Sequence, residues 1–167
     1  MARNRRITEK NEDYYKFREN LEYLCQYLAK AIVSDGEGAT KFIEYRVVNA
    51  RSEDEARQVA RTVSNSNLVK TAIFGRDPNW GRILAAVGRS GVDMDPDKVD
   101  IYVGSKKYIQ VAQKGAYHEF NRTQLKQMLR SSRIRILVDL HQGGYEATGW
   151  GTDFSYEYVR INAEYTS

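Results

Sequence analysis

From Tyr14 onwards the apolar residues Phe17, Leu21, Leu24, Leu28 and Ile32 follow at steps of three and four. That spacing draws one stripe along a helix of about five turns. Asp35-Gly36-Glu37-Gly38 should end it, because glycines admit a sharp turn. Beyond the turn the period changes. Ile43, Tyr45 and Val47 alternate with Glu44 and Arg46, which predicts a strand over Phe42 to Val48. Ser52-Glu53-Asp54-Glu55 has the form of a capping box, and Ala56, Val59, Ala60 and Val63 continue it as a helix. Leu68 to Phe74 reads as a buried strand, followed by a loop over Gly75 to Asn79. Asp77 is then the candidate N-cap, with Pro78 at the first helical position, of a helix through Ile83, Leu84 and Val87.

The second half repeats these signals. Val99 to Val103 alternates, and Gly104 to Lys107 turns it back into Tyr108 to Ala112 as a hairpin. Arg122 to Arg130 is predicted helical, with Leu125, Met128 and Leu129 inward. Ile134, Ile136 and Val138 mark another strand, followed by a turn at His141-Gln142-Gly143-Gly144. Phe154 to Ile161 alternates and is read as a final strand. Interleaved strands and helices with a local hairpin predict a mixed-sheet α/β sandwich. Residues 1–12 are polar and are expected to form a flexible basic arm ahead of one α/β region over 13–167.

Composition narrows the function classes. With 41% hydrophobic and 29% charged residues, the chain of 167 residues has the balance of a soluble globular protein. No apolar run approaches the ~20 residues that span a bilayer, and Met1 to Asp13 has no apolar segment of a signal peptide. A cytoplasmic protein without membrane contact is expected. Cys25 is the one cysteine, which excludes an intrachain disulfide and a cage of several thiolates. It falls within the first helical pattern and reads as a packed or bystander thiol rather than a nucleophile. The net charge of +4 and a pI near 9.1 raise the question of nucleic acid. Much of that excess sits in Arg3, Arg5 and Arg6, and no Lys/Arg stripe is regularly interleaved with aromatics. A nucleic-acid adaptor therefore ranks last among the readings.

Short motifs add little by themselves. Asp93, Asp95 and Asp97 have the opening spacing of a calcium loop, but Lys98 stands where its glycine belongs and Gly104 where its glutamate belongs. The glycines around Phe74 to Arg82 match neither a Walker nor a GxGxxG spacing. His118 and His141 have no serine or cysteine partner at recognisable spacing and read as surface or turn residues. Thr40 follows Gly38-Ala39, yet lies between a predicted helix and strand and reads as no autocatalytic cleavage point. No metal or cofactor is expected.

Four longer stretches carry more. Ile32-Val33-Ser34-Asp35-Gly36-Glu37-Gly38-Ala39-Thr40-Lys41, then Leu68 to Gly75, then Asp77-Pro78-Asn79-Trp80-Gly81-Arg82-Ile83-Leu84-Ala85-Ala86, and finally Tyr156 to Ser167 occur in one order. From about Tyr14 to the last residue the chain resembles the ornithine acetyltransferases, also called glutamate N-acetyltransferases. The resemblance implies the C-terminal portion of that family's fold, with 13–38 and 154–167 packed on an N-terminal half. It implies acetyl transfer from N-acetylornithine to glutamate in arginine biosynthesis, giving ornithine and N-acetylglutamate; some members also take acetyl from acetyl-CoA.

The family's precursor cuts itself within an Ala-Thr-Met-Leu motif, and the freed threonine is the nucleophile. That motif does not occur in this sequence, and Thr40 matches a later Glu-Gly-Ala-Thr-Lys stretch. The resemblance therefore implies no catalytic nucleophile here, an inactive isolated chain, and an alpha chain plus the N-terminal part of the beta chain as partners in an oligomer. It assigns substrate binding to Glu37, Asn162 and Ser167. Glu37 offers a carboxylate to a substrate ammonium, Asn162 offers both donor and acceptor, and Ser167 adds a hydroxyl. At Trp150-Gly151-Thr152-Asp153-Phe154 the chain departs from the family's usual Trp-Gly-Cys-Asp-Leu. The rival reading is a stand-alone amino-acid-binding or regulatory module of the same family.

Overall fold

In a computed structural model of the protein, residues 5–165 are described, and they divide into two units, one running to Ile32 and the other starting at Val33. Helix α1, Glu12–Ser34, supplies most of the first. Asn11 Oδ1 accepts from the Tyr14 amide at 3.1 Å, and Glu12 and Asp13 occupy the first turn, where the helix dipole favours acids. Lys16–Glu12 and Arg18–Glu22 pairs, 2.6 and 3.3 Å, lie along its surface. The predicted stripe is present, but Phe17, Leu21, Leu24, Leu28 and Ile32 are all exposed and no residue of α1 is buried. Cys25 is exposed as well. It is not packed, so of the two expectations for it only the bystander remains.

The second unit is built on a six-stranded sheet. Its elements are β1 (Phe42–Ala50), α2 (Glu53–Ser64), α3 (Asn67–Phe74), α4 (Trp80–Gly88), a 3-10 turn at Pro96–Lys98, β2 (Asp100–Gly104), β3 (Tyr108–Gln113), β4 (Ala116–Tyr117), α5 (Arg122–Met128), β5 (Arg133–Asp139), β6 (Tyr145–Thr152) and α6 (Tyr156–Glu164). The strand order is β4-β3-β2-β5-β1-β6. β1 runs parallel to β5, while β1–β6, β2–β5, β2–β3 and β3–β4 are antiparallel. This is the mixed α/β architecture expected from the interleaved periods.

Alternation decides the core. Ile43, Tyr45 and Val47 of β1, Ile134, Ile136 and Val138 of β5, and Ile101 and Val103 of β2 are buried. They form one cluster with Ala56, Val59 and Val63 of α2, Val69 and Ile73 of α3, and Ile83 and Val87 of α4. Ser52 caps α2, its Oγ accepting from the Glu55 amide at 3.2 Å.

Three local expectations fail, each for a physical reason. The segment Leu68 to Phe74 is a helix, not a strand. Ser66 caps it, and Val69, Ala72 and Ile73 bury at the helical steps of three and four while Leu68 stays 59% exposed. A short apolar run is ambiguous in period, and here the cap resolves it. The N-cap of α4 is Asn79 rather than Asp77: Asn79 Oδ1 accepts from the Arg82 amide at 3.2 Å, and Asp77 Oδ2 accepts from Asn79 Nδ2 at 2.9 Å. Pro78 therefore precedes the cap.

The end of the chain reverses the remaining expectation. The last strand is β6, and the segment Phe154 to Ile161 is no strand but is helical from Tyr156, within α6. Register explains why β6 was invisible. Gly149 lies opposite Tyr45 and Gly151 opposite Ile43. A Cβ on Gly151 would meet Tyr45 Cε2 at 3.4 Å, and one on Gly149 would meet Ala60 Cβ at 3.9 Å. The inward positions of this edge strand are thus filled by side chains from β1 and α2, leaving no apolar alternation to read. No residue of α6 is buried, so its aromatic pattern reflects no core face.

Candidate substrate-binding surface

The turn after α1 is assembled from its own backbone and from the far end of the chain. The Gly36 amide donates to Val33 O at 3.3 Å, and the Ala39 amide to Gly36 O at 3.1 Å. Gly38 has φ +63, in the left-handed region. A Cβ there would lie 2.4 Å from Tyr158 N and 2.8 Å from Tyr158 Cα. Only glycine lets this turn lie directly on the first turn of α6.

Two buried side chains fasten the contact. Asp153, 2% exposed, accepts at Oδ1 from the Thr40 amide at 2.8 Å and the Lys41 amide at 3.0 Å. Its Oδ2 accepts from the Thr40 hydroxyl. Ser155, 3% exposed, is the N-cap of α6: its Oγ accepts from the Tyr158 amide at 3.1 Å and donates to Gly38 O at 2.5 Å. Phe154 and Tyr158 stack edge-to-face at 4.8 Å, and Phe74 and Tyr156 at 5.4 Å.

These contacts bring two of the three expected site residues together. Asn162 Nδ2 donates to Glu37 Oε2 at 3.2 Å and also to Tyr158 O, one turn back on α6, at 2.9 Å. Both side chains are exposed. Ser167 lies outside the described residues. Chemically the pair is a carboxylate oriented by an amide that is itself anchored to a helix backbone, an arrangement able to receive an ammonium group.

Behind the turn a lysine side chain is buried. Lys41 is 7% exposed, and its Nζ donates to Ser131 O at 3.2 Å. Burial lowers its pKa below the usual lysine range; the charge of Asp153 opposes that shift and Arg76 adds to it. A cavity of about 200 Å³ lies against this segment between Val33, Ala39, Thr40, Lys41, Ser132 and Arg133. A larger cavity of about 490 Å³ is lined by Phe42, Glu44, Ser105, Lys106, Arg133 and Arg135, and its lining includes neither Glu37 nor Asn162.

The remaining motifs have structural employment. Thr40 is bound to Asp153 through its amide and hydroxyl. Asp95 Oδ1 caps the 3-10 turn by accepting from the Asp97 amide at 3.1 Å, and Asp93 pairs with Arg51 at 3.1 Å. His141 is a turn residue with φ +49 whose Nε2 lies 3.0 Å from Asp100 Oδ2. Among the described residues no group of three or more His, Cys, Asp or Glu side chains is placed to hold a metal ion, and no helix is long and apolar enough to cross a membrane.

Sequence reasoning missed Ser155 altogether and met Asp153 only as part of a family pattern. A readable signal was present: Glu157, Arg160 and Glu164 have the three- and four-residue spacing of helical ion pairs, and they pair at 2.5 and 3.2 Å. With that helix recognised, Ser155 is its natural N-cap.

Comparison with known proteins gives this geometry a setting. The protein is 51% identical over 166 residues to the arginine biosynthesis bifunctional protein ArgJ of Caldanaerobacter subterraneus subsp. tengcongensis, covering 99% of this chain and 41% of that protein. It is 47% identical over 160 residues to the glutamate N-acetyltransferase of Methanocaldococcus jannaschii, covering 91% of this chain and 39% of that one. The chain thus spans about two-fifths of the length of the curated relatives it matches. The crystal structure of the arginine biosynthesis bifunctional protein argJ from Bacillus halodurans superposes with a TM-score of 0.89 at 40% identity, over 97% of this chain and 75% of that chain. The ArgJ family model matches residues 1–167, and the chain belongs to the ArgJ family.

Proposed function

We propose that this chain forms one wall of the amino-acid site of an acetyltransferase that moves acetyl from N-acetylornithine to glutamate in arginine biosynthesis. The observation that carries the reading is the hydrogen bond between Glu37 and Asn162, two exposed polar residues from distant parts of the chain. Glu37 receives the substrate ammonium, Asn162 orients that carboxylate and contacts the polar head, and Ser167 completes the binding set. The nucleophilic threonine and the oxyanion donors come from the alpha chain and the N-terminal part of the beta chain. The threonine takes the acetyl group from N-acetylornithine, ornithine leaves, and glutamate then accepts the acetyl group. Attack on an amide needs both nucleophile and oxyanion donors, so the isolated chain is inactive.

The names of the relatives and the share of their length that this chain spans support a role within a larger enzyme. The exposed apolar stripe of α1 supports packing of that helix on the rest of the enzyme, in an oligomer. Acetyl exchange between labelled ornithine and N-acetylornithine tests the reading. The purified 167-residue chain should give no exchange, and adding the complementary portion of the family sequence should produce it. Exchange by the chain alone, or none after a folded complex has formed, would overturn the proposal.

A further inference from the structure

We infer that Ser155, together with Asp153, is a positioning residue: its single hydroxyl couples the start of α6 to the Glu37 turn and so sets the spacing between Glu37 and Asn162. The inference rests on the proposed role of that pair in binding substrate, and it assigns a task to two almost wholly buried residues.

The reasoning starts from what one hydroxyl does. Ser155 Oγ accepts from the Tyr158 amide, the ordinary work of an N-cap, and its own proton goes to Gly38 O at 2.5 Å. A cap that only accepts would satisfy α6 and leave Gly38 O without this donor. Asp153 supplies the second fastening, accepting from the Thr40 and Lys41 amides and the Thr40 hydroxyl, all from the turn. Both groups are almost wholly buried. Glu37 precedes Gly38 directly, and Asn162 lies on the helix that Ser155 caps. The two ends of the binding pair are therefore joined through Ser155. A shift of the turn by 1 Å would lengthen the 3.2 Å contact beyond hydrogen-bonding range.

The hydroxyl's double role separates positioning from mere stability. Ser155→Asp retains a good N-cap acceptor but donates nothing to Gly38 O; Ser155→Thr retains both functions; Ser155→Ala loses both. In the 167-residue chain, hydrogen exchange should show the Ala39, Thr40 and Lys41 amides exchanging roughly tenfold faster in Ser155→Asp and Ser155→Ala. The Tyr158 amide should stay protected in Ser155→Asp, and Ser155→Thr should resemble the unmodified protein. Unchanged exchange at Ala39 to Lys41 in Ser155→Asp would overturn the coupling whatever the substrate role of Glu37.

In the complete enzyme, Ser155→Asp should raise KM for N-acetylornithine roughly tenfold with kcat little changed, and Ser155→Thr should restore it. In a Glu37→Gln background the same substitution should add nothing, because the residue it positions is already disabled. A full additive effect there would overturn positioning through Glu37. If Glu37→Gln alone left KM unchanged, the proposed function would fail, while the exchange result would still decide the coupling.

Discussion

The side-chain amide of Asn162 donates to the carboxylate of Glu37 at 3.2 Å, although 125 positions separate them in the chain. Neither residue holds the contact by itself, since both side chains are exposed. It follows from buried groups one layer beneath: Asp153 and Ser155 bind the turn that carries Glu37, and Gly38 allows that turn to lie on α6.

Gly38 should be the least replaceable residue of the turn. Alanine there would combine φ +63 with a Cβ 2.4 Å from Tyr158 N, and we expect a loss on the order of 1–3 kcal/mol in urea unfolding. Gly88→Ala provides the control. A Cβ at that helical position meets nothing within 4 Å, so stability should be unchanged or rise by up to about 1 kcal/mol. Equal effects at the two sites would contradict the close approach seen at Gly38.

Tyr45 predicts a pH dependence. Its hydroxyl is buried and has no hydrogen-bond partner among the described residues. Burial, with the nearby charge of Asp153, raises its pKa above the ordinary 10.0. Unfolded, the phenol loses its proton near pH 10; folded, it keeps it longer. The stability it contributes is therefore complete below pH 10 and is lost as the pH rises beyond it. Tyr45→Phe should match the unmodified chain at pH 7 or exceed it by up to about 1 kcal/mol. Its advantage should widen above pH 10 in urea titrations. A constant or shrinking difference would show that the hydroxyl is not desolvated in the folded chain.

Ser52→Ala removes the cap of α2, whose Ala56, Val59 and Val63 lie in the core. The expected cost is about 1 kcal/mol. Ser52→Asp, which restores the acceptor, should recover most of it in the same unfolding assay.

How much of this was legible depends on where the apolar side chains sit. β1, β2, β5, α2 and α5 each carry their own inward residues, so period located them, helped at α2 by the capping box at Ser52. α3 carried inward residues too, but its run was too short to distinguish three-and-four steps from a continuous buried strand. β6 carried almost none, because Gly149 and Gly151 yield their space to Tyr45 and Ala60. Glu37 and Asn162 were identified through resemblance to a family. Their meeting was not derivable from local pattern, because it depends on a cap and a carboxylate more than a hundred residues from the turn they hold. Misreading α6 as a strand hid Ser155, and with it the link between the two ends.

The central claim is that Glu37 receives a substrate ammonium. N-acetylnorvaline matches N-acetylornithine in its acetamide and carboxylate but has no side-chain ammonium, so the two compounds isolate that charge. In the complete enzyme, Glu37→Gln should raise KM for N-acetylornithine roughly thirtyfold, the equivalent of about 2 kcal/mol for a hydrogen bond to a charged group. The inhibition constant of N-acetylnorvaline should stay within about threefold. Equal weakening of both compounds, or of neither, would contradict the assignment.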